Sequence, residues 1–149
     1  MRLIQCDHQG QVRAALVESE EQVRLLDCDT YTLANRAISA GKPLSDMLTE
    51  ALTDTRLDYQ ALVDAKQLLP PLTHTDPMRM FKLGVEGGKP DAGQLGAQPE
   101  WFYKGDGQCV VAPEADIPSP AFAEDAGEEP ELAGLYVIGD DGQPWRVGY

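Results

Sequence analysis

Cysteine is scarce in this chain: Cys6, Cys28 and Cys109 are its three, widely spaced and without a CxxC pair. Only His8 and His74 could assist them, so cysteine catalysis, a disulfide framework and structural zinc are all poorly supplied. Cys6 and Cys109 lie in apolar, strand-like runs and are expected in the core. Positive charge is also short, with 12 basic against 25 acidic residues and a net charge of −13. Such a surface repels phosphate backbones and anionic lipid, which excludes nucleic acid and membrane as expected partners. Long hydrophobic runs are missing too. No window approaches the ~20 apolar residues of a spanning helix, and the opening MRLIQCDHQG has no apolar signal core. Together these absences lead us to expect a reducing, cytoplasmic setting.

What is present is enough for a core. Hydrophobic residues make up 42% of the 149, and a globule of this length buries roughly 70% of the surface its unfolded chain exposes. Glycine (14) and proline (11) are plentiful, which predicts short elements and many turns. Met1–Cys6, Val12–Glu18 and Gln22–Leu26 read as strands, the first two joined by the hairpin chemistry of Asp7-His8-Gln9-Gly10. Thr30 is read as the N-cap of a helix through Ala40, stopped by Gly41 with Pro43 beyond. Leu33, Ala34, Ala37 and Ile38 form its apolar face. Further helices are expected over Leu44–Thr53 and Asp58–Ala65. Leu68 to Leu72 must be extended, because Pro70 and Pro71 forbid helix.

The texture changes at Thr75. Met78–Leu83 is apolar and basic, and Glu86-Gly87-Gly88-Lys89 opens a Gly/Pro/Gln-rich loop that lacks the spacing of a phosphate loop. Glu100–Lys104 is aromatic and strand-like, Gly105-Asp106-Gly107 a turn, and Pro113–Pro130 an acidic loop. Leu132–Ile138 and Trp145–Tyr149 read as strands joined by a turn over Gly139–Pro144. No internal repeat is visible. The fold class expected is α+β, with a small N-terminal α+β domain over residues 1–74 and a second domain over 75–149.

Two constellations could carry chemistry. Glu129-Pro130-Glu131 leads into the 132–138 strand, and residues i and i+2 of a strand share a face about 6.5 Å apart. Two carboxylates held ~4 Å apart at an effective dielectric of about 20 repel by roughly 4 kcal/mol, which a raised pKa or a bound cation relieves. An all-oxygen set suits Mg²⁺, Mn²⁺ or Ca²⁺. Spacing alone, however, favours two solvated glutamates at a strand edge. Lys104 follows Trp101-Phe102-Tyr103, so its ammonium could emerge from a partly dry wall to meet a carboxylate or a developing enolate oxygen. An ordinary lysine before a turn is an equal reading. Asp140-Asp141-Gly142 is most simply a hairpin turn, and His74 an incidental histidine.

These same segments carry a resemblance. Met78-Arg79-Met80-Phe81-Lys82-Leu83-Gly84-Val85-Glu86-Gly87-Gly88-Lys89-Pro90, Gln98-Pro99-Glu100-Trp101-Phe102-Tyr103-Lys104-Gly105-Asp106-Gly107 and Gly127 through Gly142 resemble the AraD1-like branch of the fumarylacetoacetate hydrolase superfamily. Met1–Gln5 and Leu68-Leu69-Pro70-Pro71 match as well. The resemblance implies that residues 75–149 form the N-terminal part of a mixed β-roll. It implies that Glu129 and Glu131 stand for the Glu-x-Glu metal ligands. Lys104 would be the lysine of the Phe-x-Lys motif, contacting a bound 2-oxo acid. The implied cofactor is Mg²⁺ (or Mn²⁺), and the implied reaction is dehydration of a 2-keto-3-deoxy sugar acid, such as 2-keto-3-deoxypentonate, through a metal-stabilised enolate. A homodimer is implied likewise.

Two departures from the family pattern bear on this reading. Several dozen residues that members carry between the equivalents of His74 and Thr75 are missing, and the third, aspartate, ligand would follow Tyr149. The sequence is therefore expected to be an incomplete chain of a longer enzyme. Two other readings remain open: a hydrolase cleaving a C–C bond of a 2,4-diketo-3-deoxy sugar acid, and an inactive fragment or binding module.

Overall fold

A computed structural model describes residues 1–86, 100–122 and 132–149. The chain opens with β1 (Leu3–His8), β2 (Gln11–Val17) and β3 (Gln22–Leu26), then α1 (Thr30–Ala40) and α2 (Leu44–Ala51). Next come β4 (Leu52–Asp58), α3 (Tyr59–Asp64) and a two-residue β5 (Leu68–Leu69). A 3-10 turn at Pro77–Arg79 leads into β6 (Met80–Glu86). The remaining strands are β7 (Glu100–Asp106), β8 (Ala133–Ile138) and β9 (Pro144–Gly148). The protein is thus α+β, with three α-helices and two antiparallel sheets among the described residues.

The first sheet has the order β4-β3-β2-β1-β5 and is built only from residues up to Leu69. Its opening hairpin closes on two residues, Gln9 and Gly10, with φ of 55° and 76°, the sign pattern of a type I′ connection. Asp7 Oδ1 accepts the Gly10 N–H at 2.8 Å. Because the turn consumes only two residues, β1 runs on to His8 rather than stopping at Cys6. Adjacent positions on β2 serve opposite faces, as strand geometry demands. Ala14 packs with Leu26, Leu33, Leu48 and Ala51 under α1 and α2. Ala15 packs with Cys6, Val23, Leu25 and Leu62 under α3.

Helix α1 is the hinge of the packing. Its N-cap is Asp29, whose carboxylate accepts the Thr32 N–H at 2.7 Å, so the expected cap at Thr30 is off by one. Asp competes better than Thr for this role because its oxygen is charged. At the other end Gly41 takes φ 62°, Gly41 N–H reaches Ile38 O, and Lys42 N–H reaches Ala37 O, a Schellman closure. The apolar stripe is shared between layers. Leu33 faces the first sheet, while Ala34, with Tyr31 and Ile38, packs on Leu72, Met80 and Val137. Tyr31 also donates its hydroxyl to Ile138 O at 3.2 Å. Leu26, Leu33 and Leu72 are among the largest fully buried side chains, each worth about 1.5–3 kcal/mol of burial.

The second sheet, β7-β6-β8-β9, is built from residue 80 onward. Three expectations need correction around these elements. The helix expected over Leu44–Thr53 stops at Ala51, and Leu52–Asp58 pairs with β3 as an edge strand. Its sequence LTDTRLD has only Leu52 and Leu57 to signal burial, and its exposed Asp54 and Arg56 suit an edge. The turn expected at Gly105-Asp106-Gly107 is instead the end of β7, Gly105 and Asp106, followed by Gly107 opening a 3-10 turn. Cys109, expected in the core, is exposed in a 3-10 turn, Gly107–Cys109. Cys6 is fully buried as expected. No helix among the described residues is long and apolar enough to cross a membrane.

Candidate functional site

Lys104 stands where β7 changes its stride. Across β6 and β7, Leu83 opposes Tyr103 but Phe81 opposes Asp106, so β7 carries one extra residue between these pairs. Gly105, at φ +104°, absorbs the bulge. A side chain there would meet Cys109 Sγ at 2.7 Å and its Cβ at 2.9 Å. The strand end is fixed by its neighbours. Asp106 Oδ1 accepts the Gln108 N–H at 2.8 Å, Lys82 Nζ donates to Cys109 O at 3.0 Å, and Gly107 lies against the Pro77 backbone. Lys104 and Tyr103 are exposed. The bulge therefore lies next to the exposed Lys104.

Strand β6 brings the motif-bearing segments to one level. Buried Gly84 opposes Phe102 on one side and Ala133, the first residue of β8, on the other. Two ladder spacings separate the backbones of Phe102 and Ala133, about 10 Å. The Phe102-Tyr103-Lys104 segment and the entrance of the strand that follows Glu131 thus share one stretch of sheet. Glu129 and Glu131 themselves lie outside the described residues, as do residues 87–99 that follow Glu86. On β8, Val137 is fully buried and Leu135 packs beside it against α1. Tyr136, on the other face, stacks on Phe81 with ring centroids 4.8 Å apart.

The other polar residues resolve into structural roles. Asp141 Oδ1 accepts the Gln143 N–H at 2.9 Å and Gly142 takes φ 74°, so Asp140-Asp141-Gly142 is a turn. His74 rests on the Tyr31 ring, centroids 4.2 Å apart, and its Nδ1 accepts the Asp76 N–H at 2.9 Å. Burial pushes the Cys28 thiol up to about 12, with a hydrogen bond to Asp27 adding to it. Burial also raises Cys6, so neither is a ready thiolate. Arg36 holds the Asp27 carboxyl below its ordinary value through a hydrogen bond of 2.7 Å. Among the described residues no three His, Cys, Asp or Glu side chains group as a metal site. In the sequence, the hard oxygen donors Glu129 and Glu131 fit a divalent cation such as Mg²⁺.

Sequence reasoning missed one polar feature, the buried amide of Gln5. Its Nε2 donates to Pro70 O at 2.7 Å and to Thr73 Oγ1 at 3.1 Å, and its Oε1 accepts the Thr30 N–H at 2.9 Å. It ties β1 to the start of α1 and to the Pro70–Thr73 segment. The only signal was one glutamine between apolar residues in a strand. No protein-family model matches this chain, and neither a curated protein nor a solved structure does.

Proposed function

We propose that this protein belongs to the fumarylacetoacetate hydrolase superfamily and acts as a metal-dependent dehydratase of a 2-keto-3-deoxy sugar acid such as 2-keto-3-deoxypentonate. The supporting observation is the shared register at Gly84, which sets the Phe-x-Lys strand and the entrance of the strand after Glu-x-Glu on either side of β6. Under this reading residues 1–74 and 75–149 are separate domains, the second sheet belongs to the family's β-roll, and the working unit is a cytoplasmic homodimer.

Glu129 and Glu131 would hold Mg²⁺ or Mn²⁺ through carboxylate oxygens. When bound, the ion supplies Lewis acidity toward the carboxylate and 2-oxo oxygens of the substrate. Lys104 contributes a positive charge at the β7 bulge, suited to a substrate carboxylate or to the negative charge that develops on oxygen as C3 loses its proton. Loss of that proton and of the β-hydroxyl, together one water, leaves a C3=C4 double bond beside the C5 hydroxyl of the pentonate. A proton shift from C5 to C3 then gives the enol of a 2-oxoglutarate semialdehyde, which tautomerises to the aldehyde. The test is semialdehyde formation with Mg²⁺ or Mn²⁺ present. Lys104→Met should lower the rate by about 10²–10³, as for other losses of a transition-state charge donor. Turnover that survives the paired Glu129→Gln and Glu131→Gln substitutions would sink the proposal. Release of two carboxylic acids in place of the semialdehyde would move the assignment to the hydrolase of a 2,4-diketo acid.

A further inference from the structure

Where β1 begins, the first sheet meets β8 and β9 around a cavity of about 740 Å³. Its lining divides by chemistry. Leu3, Leu44, Leu72, Leu135 and Val147 supply apolar walls drawn from both halves of the molecule. Arg2, Ser19 and Glu20 line it too, all three exposed to solvent, and so do the phenols of Tyr59 and Tyr149. Thr30 adds no polar contact, because its hydroxyl oxygen is sealed from solvent. Apolar walls with a few polar groups that fix orientation are the make-up of small-molecule sites.

The exposed polar residues decide the ligand's charge. Val17 N–H bonds to Arg2 O at 3.1 Å, which sets Arg2 beside the end of β2, and Ser19 and Glu20 follow in the turn to β3. Ser19 Oγ accepts the N–H groups of Glu21 and Gln22 at 3.2 and 3.1 Å, so its own proton is left to donate. Glu18, in the same turn, is engaged by Arg56 at 2.8 Å. Arg2 and Glu20, by contrast, make no ion pair among the described residues. A cation and an anion, each unpaired, therefore border one cavity with apolar walls. A ligand with a carboxylate alone meets Glu20 as well as Arg2, and one with an ammonium alone meets Arg2 as well as Glu20. A ligand carrying both at one end can set each against its opposite. We infer that this cavity binds a zwitterion with an apolar body, namely an α-amino acid with a large hydrophobic side chain. Its carboxylate meets Arg2 and the Ser19 hydroxyl, its ammonium meets Glu20, and its side chain lies against the apolar walls. Lys104 does not line the cavity, and nothing here rests on the metal and 2-oxo acid reading.

Phenylalanine, 3-phenylpropanoate and 2-phenylethylamine share one apolar body and differ in the charges they carry. Each is titrated into the purified chain at neutral pH, with binding followed by ligand-observed NMR. Phenylalanine should saturate, and the other two should bind about two- to tenfold more weakly, the worth of one exposed charged contact. Arg2→Met should weaken phenylalanine by a similar factor and leave 2-phenylethylamine no weaker. Glu20→Gln should weaken phenylalanine and leave 3-phenylpropanoate no weaker. Leu135→Trp, which fills the apolar side of the cavity, should weaken all three. The inference is overturned if phenylalanine fails to saturate the parent chain or if either singly charged probe binds as tightly. It is equally overturned if Arg2→Met and Glu20→Gln, both folded by circular dichroism, bind phenylalanine unchanged.

Discussion

Two buried polar side chains, Gln5 and Thr30, illustrate how differently equal burial can act. Gln5 satisfies both ends of its amide, so Gln5→Ala would strand the Thr30 N–H and the Pro70 carbonyl. We expect a loss of about 2–4 kcal/mol, read by urea denaturation, from orphaning two groups. Thr30→Val removes an unpaired hydroxyl while keeping the branched shape. It should therefore stabilise the free protein by about 1 kcal/mol, or roughly 2–4 °C in melting temperature. A fall in melting temperature would mean that the hydroxyl has a partner in the folded chain. Cys28 predicts a pH response. Its thiol is raised from 9.0 to about 12 by burial, so the folded state keeps the proton after the unfolded chain has lost it. Stability from this group is undiminished below about pH 9 and falls as pH rises from there toward 12. Cys28→Ala should flatten that alkaline decline in denaturation midpoints, once its own cavity cost is subtracted.

At the scale of elements, legibility followed the strength of local signals. Helix α1 was readable because Gly41 and Pro43 mark its end and the Leu33, Ala34, Ala37, Ile38 stripe its buried side. Strand β4 was not, because Leu52 and Leu57 alternate with nothing apolar between them and the strand gains its place by pairing with β3. The bulge in β7 was also hidden. Gly105-Asp106-Gly107 has turn composition, yet the chain uses Gly105 for an extra residue inside a strand and Asp106 to cap the 3-10 turn that follows. This element is testable. Gly105→Ala places a Cβ 2.7 Å from Cys109 Sγ at a φ of +104°. We expect a loss of about 2 kcal/mol or more from strain and contact together. Adding Cys109→Ala should recover little of it, since the φ penalty and the Cβ contact remain.

At the scale of the molecule, two antiparallel sheets meet across α1, and the contact that joins them is small and apolar: Ala34, Leu72, Met80 and Val137. Val137→Ala should loosen this joint at a cost of about 2 kcal/mol, with amide exchange rising in β8 and the second half of α1. The sequence reading foresaw the α+β class and most strands, because alternation and turn chemistry are local. It could not foresee that β6 would be central in its sheet, flanked by β7 and β8, since pairing order is decided by packing across the whole chain. The candidate site was legible only as short motifs. Lys104 falls among the described residues and Glu129 and Glu131 do not; the register at Gly84 relates Phe102 to Ala133.

The central claim is that Glu129 and Glu131 hold a hard divalent cation, and Mn²⁺ binding tests it without requiring turnover. Calorimetric or paramagnetic-resonance titration of the chain with Mn²⁺ should reveal a saturable site that Mg²⁺ displaces. Glu129→Gln and Glu131→Gln should each weaken it roughly tenfold or more, since even the supports of a metal ligand carry 10–100-fold in affinity. No saturable Mn²⁺ binding, or binding left unchanged when both glutamates are replaced, would contradict the account.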